Sequence, residues 1–178
     1  MAQAGKMLNL IATPIADLYA QTAELHKHLC PRQVLGVRMG VQIADLFGLA
    51  LPQTAKRLIA FVETDGCFAD GVSVATGCWL GRRTMRLMDY GKSAVTFVDT
   101  QADAVVRIWP HPQARQRAAG FAPHEKSRWH TMLEAYQWMP ADQLLCWRPV
   151  ELTIDMATLI SRAGVRVSCA ICGEEIMN

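Results

Sequence analysis

The chain has 178 residues, 51% of them apolar and 19% charged, with a net charge of +2. Such a composition excludes a disordered chain and suits one sizeable core, since a domain takes roughly 100–200 residues. A charge this weak, with no basic run longer than Arg82-Arg83, argues against nucleic acid as a partner.

Thr13-Pro14 predicts a helix start, a hydroxyl cap followed by proline at the first helical position. Ile15, Leu18, Tyr19, Thr22 and Leu25 continue it as a helical stripe, which should run out near His26. Pro31 disfavours the α conformation at Cys30 and can itself open a second helix. That helix carries Val34, Val37, Val41 and Ala44 on one face, and Gly36 and Gly40, four apart, predict that another backbone packs closely against it. His26 to Cys30 is then a short linker between two helices. After a loop from Leu49 to Thr54, Arg57 to Glu63 reads as a strand apolar enough for the middle of a sheet. It leaves through the turn Thr64-Asp65-Gly66-Cys67 into a short helix from about Asp70 to Gly77.

Thr84 to Met88 and Ala94 to Val98 are predicted strands, joined by the turn Asp89-Tyr90-Gly91-Lys92. Ala104 to Trp109 is a further strand, ended by Pro110 and Pro112. The pattern is helical from Pro112 to Met139, broken near Gly120 to Pro123, and a weaker strand follows from Gln143 to Leu152. Helices first and clustered strands later favour an α+β fold, a mixed sheet with helices packed on it, over an alternating one. No stretch reaches the roughly 18 apolar residues of a membrane span, and the first 20 residues do not read as a signal peptide. A cytoplasmic location is therefore expected, where six cysteines read as ligands, nucleophiles or buried thiols rather than disulfides.

His26, His28 and Cys30 alternate along five residues, so an extended linker would turn all three to one side. Imidazole and thiolate are the donors that zinc and similar metals take. The structural alternative is a histidine that caps the first helix and a small buried cysteine. Cys67 sits where a strand gives way to a helix, a common place for ligand sites, and N–H groups at the helix start would favour its thiolate. Asp65 could act as a ligand or a base, or simply make the turn. Cys78 is a weaker metal candidate because it falls at the far end of the short helix. Tyr90 and Lys92 place a phenol and an ammonium in one turn, which turns also do for ordinary reasons.

Cys169-Ala170-Ile171-Cys172-Gly173 resembles half of a zinc knuckle. Two thiolates cannot close a tetrahedron, so Cys146, His111, His124, His130 or a second subunit would have to supply the rest. There is no P-loop, dinucleotide fingerprint, His-Glu-x-x-His or nucleophile elbow.

The runs HKHLCPRQVLGVRMG, FVETDGCFADGVSVATGCWLG and MDYGKSAVTFVDT, in that order, resemble the FmdE family of formylmethanofuran dehydrogenase proteins over roughly residues 13 to 110. The segment CAICGEEIM resembles the start of that family's C-terminal zinc finger. The resemblance implies an α+β core with a mixed sheet, normally dimeric. The family's characteristic positions match at His26, His28, Cys30 and Pro31, at Asp65, Gly66, Cys67, Thr76, Gly77 and Cys78, and at Asp89, Tyr90, Gly91 and Lys92. Lys27 and Arg32 depart from it, standing where the family typically has glycine. The expected organisation is a core domain over residues 1–164 and a tail over 165–178 that resembles the first half of a zinc finger, with no independent finger domain.

Together these readings give an expected function: a metal-binding accessory protein, a homodimer, holding or delivering a transition metal (zinc first) or a metallocofactor. Its partner would be a redox enzyme, of the molybdenum or tungsten one-carbon type on the resemblance. The alternatives are a metal- or cysteine-dependent enzyme acting on a small molecule at His28, Cys30 and Cys67, and an interaction protein whose cysteines are structural. The catalytic candidates for the enzyme are Asp65, Tyr90 and Lys92.

Overall fold

Two helices and their tight junction open the structure, a computed structural model that describes residues 13–155 and 166–177. Helix α1 spans Ile15–His26 and α2 spans Pro31–Phe47, as the apolar stripes and Pro31 predict. Lys27 closes α1 in the left-handed region at φ 59°. Gln33, fully buried, then locks the junction: its Nε2 donates to the Thr22 carbonyl at 3.0 Å and its Oε1 accepts from the Cys30 N–H at 2.8 Å. The second bond is the return half of a capping box, which satisfies a donor that the helix start would otherwise orphan.

Strand β1, Leu58–Val62, is buried along its whole length, as its apolar run requires for an interior strand. Helix α3 follows at Cys67–Thr76, three residues earlier than its predicted start. The sheet continues with β2 (Met85–Leu87), β3 (Val95–Asp99), β4 (Ala104–Pro110) and β5 (Leu145–Pro149). Between β4 and β5 lie α4 (Ala114–Phe121), α5 (Arg128–Trp138) and the short α6 (Ala141–Leu144). The strand order is β2-β1-β3-β4-β5, with β2 parallel to β1 and the other neighbours antiparallel. The fold is α+β with a mixed sheet.

The Asp89–Lys92 turn does not close a hairpin. Strands β2 and β3 flank β1 on opposite sides, so the turn crosses the end of β1. Met88 N–H donates to the Val62 carbonyl, and Tyr90 and Lys92 N–H both donate to the Glu63 carbonyl at 3.0 and 3.1 Å. A strand's own pattern gives its faces but not its partner, and here β3 pairs with the strand two positions earlier in sequence.

One face of the sheet, with Ala60, Val62, Phe97 and Ile108, joins Val34, Val37, Phe68 and Val72 of α2 and α3 in the main core. The other face carries a smaller cluster of Ile59, Phe61 and Val98, packed with Val105 and Leu152. Helices α2 and α3 touch backbone to backbone. A Cβ on Gly36 would run into the Phe68 carbonyl and come within 2.8 Å of Val72 N, and one on Gly71 would meet the Gln33 carbonyl. The close approach expected at Gly36 and Gly40 is therefore made by α3. A two-stranded hairpin, β6 (Arg166–Ser168) with β7 (Glu175–Met177), forms the tail. The expected boundary between core and tail, at 164 and 165, lies outside the described residues. No helix among the described residues is long and apolar enough to cross a membrane.

Candidate functional site

Cys30 is the N-cap of α2, extended at φ −127° and ψ 160°, and Pro31 fills the first helical position. Cys67 is the first residue of α3. Its N-cap, Gly66, stands at φ 68° and ψ −149°, a region that only glycine enters freely, and this sharp exit from β1 aims Cys67 at α2. With the two helices pressed together through Gly36 and Gly71, the two thiols become electrostatic neighbours. Cys30 is buried and Cys67 half-buried. Burial pushes the Cys67 thiol above its ordinary range, and the neighbouring Cys30 adds to the effect. Helix-start N–H groups on their own would favour a thiolate, but desolvation and a second thiol outweigh them here.

The histidines lie alongside. His26 Nε2 donates to Asp70 Oδ2 at 2.5 Å, and the Asp70 carboxylate adds to the upward push on the Cys67 thiol. His28 is exposed, and its ring meets that of His26 edge to face at 6.1 Å between centroids. Its Nδ1 lies 2.8 Å from the His26 carbonyl. A carbonyl can only accept, so this bond fixes the proton on Nδ1 and leaves Nε2 as the lone-pair nitrogen of the neutral ring. Asp70, which carries no sequence signal of its own, holds His26 as carboxylates hold metal-ligating imidazoles from behind. Among the described residues, no three His, Cys, Asp or Glu side chains are gathered closely enough to make a ready metal cage. The donor chemistry nonetheless suits a thiophilic metal: two neighbouring thiols with an unprotonated imidazole nitrogen on the adjoining linker.

The other candidates are dispersed. Cys78 lies beyond the far end of α3, roughly 15 Å of helix from Cys67 at 1.5 Å per residue. Its Sγ donates to the Leu58 carbonyl at 3.4 Å, and burial pushes the thiol up to about 11. Asp65 is exposed in the turn before α3. Tyr90 is 63% exposed, with Lys92 Nζ 5.8 Å from its ring centroid. In the tail, Cys169 and Cys172 sit in the hairpin turn, where Gly173 N–H returns to the Cys169 carbonyl at 2.9 Å. The backbone N–H groups of Cys172 and Ile171 hold the half-buried Cys169 thiol below its ordinary range. Of the residues that could complete that half-site, His130 bonds Ser127 Oγ, His111 accepts from Gln113 N–H, His124 is exposed and Cys146 lies on β5.

Beside Cys30 opens a cleft of about 740 Å³, at the end of the sheet where β1 and β4 finish and β3 begins. The β4 residues Arg107 and Trp109 line it, with Arg115 of α4 and Trp129 and Tyr136 of α5. Glu63, buried one residue past β1, grips Arg107 through Nε at 2.5 Å and Nη2 at 2.8 Å. Arg107 and Arg148 lie 5.2 and 5.9 Å from the Trp109 ring. None of these lining residues stood out in the sequence. The available signal was Arg107 itself, a charge inside the apolar strand run AVVRIWP, which needs a buried partner.

Residues 25–146 match the family described as "FmdE, Molybdenum formylmethanofuran dehydrogenase operon". The chain belongs to the FmdE family. The match takes in α2, α3, strands β1 to β4 and the start of β5 as far as Cys146, well past the span over which the motifs alone resemble the family. The FmdE fold is also that of a solved FmdE-like protein of the tungsten formylmethanofuran dehydrogenase type from Syntrophus aciditrophicus. That structure is similar at a TM-score of 0.59 and 21% identity, covering 93% of this chain and 87% of that one. A curated relative from Archaeoglobus fulgidus, described as a probable S-adenosyl-L-methionine-binding protein, is 38% identical over 98 residues. The likeness covers 53% of this chain and 27% of that protein, so the chain spans about a quarter of the relative.

Proposed function

We propose that this FmdE-family chain is a metal-binding accessory protein, which holds or delivers a transition metal ion, zinc by preference, or a metallocofactor for a redox enzyme. The observation that carries this reading is the juxtaposition of Cys30 and Cys67, supplied by the starts of two helices that glycines hold together. Burial raises the Cys67 thiol, and the Cys30 thiol beside it adds to the shift, so the pair resists ionising together without a cation. A bound metal would supply the positive charge that keeps both thiolates deprotonated. Cys30 and Cys67 would be the thiolate ligands and His28 the imidazole ligand, with His26 held in support by Asp70. The family description and the likeness to the tungsten-type FmdE-like protein support a molybdenum or tungsten one-carbon enzyme as the partner. A homodimer and a cytoplasmic location belong to the same reading.

Elemental analysis of the purified chain, with Cys30→Ala, Cys67→Ala and His28→Ala beside it, tests this. Bound metal is expected in the wild type, lost in both cysteine variants and weakened in His28→Ala. Because the thiols must shed protons to bind, uptake should also weaken as pH falls. A chain that takes up no metal, or takes it up equally in all three variants, overturns the reading.

The second reading is a metal- or cysteine-dependent enzyme, and the cleft bordered by Cys30 is what favours it. The A. fulgidus relative, by its description, is a binder of S-adenosyl-L-methionine, which makes that molecule one to try against this chain. A metal that keeps an exchangeable water while the cleft turns over a small molecule would favour the enzyme.

A further inference from the structure

Positive charge gathers around the cleft without an acidic counterpart. Arg32 reaches it from the first turn of α2, Lys92 from the turn that crosses β1, and Arg115 from α4. No Asp or Glu lines the cleft, and among the described residues no carboxylate lies within ion-pair distance of these three. The fourth cation, Arg107, is neutralised by Glu63 and serves as wall. A chain with a net charge of only +2 does not collect three uncompensated cations in one place through overall basicity.

The same cleft is lined with rings. Trp129 is 42% exposed, a large apolar surface left to water, while Arg107 and Arg148 hold Trp109 by stacking. Tyr136 is buried, and its phenol neighbours the Arg115 guanidinium at the ring-lined wall. The volume of about 740 Å³ is far more than an inorganic ion needs and lies within the roughly 300–1,000 Å³ of small-molecule sites.

We propose that this cleft binds a small molecule in which a flat aromatic ring carries a phosphate group. The ring lies against Trp109 and Trp129, and Arg32, Lys92 and Arg115 converge on the phosphate. Three cations from three separate elements suit a doubly charged oxyanion better than a single carboxylate. The lining offers no carboxylate to a sulfonium or other cationic centre, which sets this ligand apart from S-adenosyl-L-methionine. The site uses none of the thiols, so it goes beyond the metal reading and stands whether or not metal binds.

Calorimetric titration of the full chain in the presence of a chelator tests this, with AMP and flavin mononucleotide as probes. Adenosine and riboflavin serve as the rings without phosphate, inorganic phosphate as the anion without a ring, and S-adenosyl-L-methionine as the cationic competitor. At least one of AMP and flavin mononucleotide should bind about tenfold or more tightly than its phosphate-free parent and than inorganic phosphate. Arg32→Gln, an exposed substitution that leaves packing intact, and Trp129→Ala should each weaken that probe about tenfold, with Arg115→Gln as a further check. The proposal is overturned if neither probe exceeds its parent, if inorganic phosphate binds equally well, or if S-adenosyl-L-methionine binds more tightly than both. Affinities left unchanged by all three variants would also overturn it. Because the thiols take no part, failure here leaves the metal result standing.

Discussion

Lys27 closes α1 at φ 59°, in the left-handed region where a Cβ crowds the following carbonyl and glycine is the preferred occupant. Its exposed ion pair with Glu24, at 3.2 Å, returns little of that cost. Lys27→Gly should therefore stabilise the chain by about 1 kcal/mol, read as a higher denaturant midpoint in equilibrium unfolding. A lower midpoint would show that the lysine does more at this position than end a helix. The departure from the family's glycine was legible in the sequence, but the conformation that makes glycine the better residue was not. The same holds at Cys67. Its place at a strand exit could be read directly, whereas the direction of its thiol shift depends on Cys30, thirty-seven positions earlier.

At the scale of elements, the α2–α3 contact governs whether the site exists. Gly36 faces the Phe68 carbonyl and Val72 N, backbone atoms that cannot swing aside. Gly36→Ala should force the helices apart and cost about 1–3 kcal/mol, with loss of bound metal exceeding what partial unfolding explains. Thermal unfolding and metal content of this variant, measured together, check it; an unchanged melting temperature would mean that the contact is looser than the structure has it. The spacing of Gly36 and Gly40 announced a close neighbour, but Gly71 on the facing helix gave no such sign because a lone glycine has many uses. Strands β2 and β3 were likewise visible as strands. Their placement on either side of β1 was not, since pairing is decided by contacts far apart in sequence.

For the molecule as a whole, every feature with chemical promise except Cys78 and the tail lies at the pole where β1 ends. The tail is a different case. Its hairpin is internally bonded, with Cys169 N–H donating to the Glu174 carbonyl at 2.8 Å, and its cysteines are not needed to explain the core. Any zinc held there should be lost in Cys169→Ala while the core's unfolding transition stays where it was. Differential scanning calorimetry of that variant is the measurement, and global unfolding would show that the tail is part of the core's stability.

The arrangement of the cleft has a consequence for how such chains can diverge. Its ring-bearing wall comes from β4, α4 and α5, whereas the thiol pair is supplied by the starts of α2 and α3. Changes at Arg115 or Trp129 would therefore alter the proposed ligand site without touching Cys30, Cys67 or the glycines that join them. Inheritance of one site does not oblige inheritance of the other, and two descendants of one ancestor could share a metal chemistry while answering to different ligands.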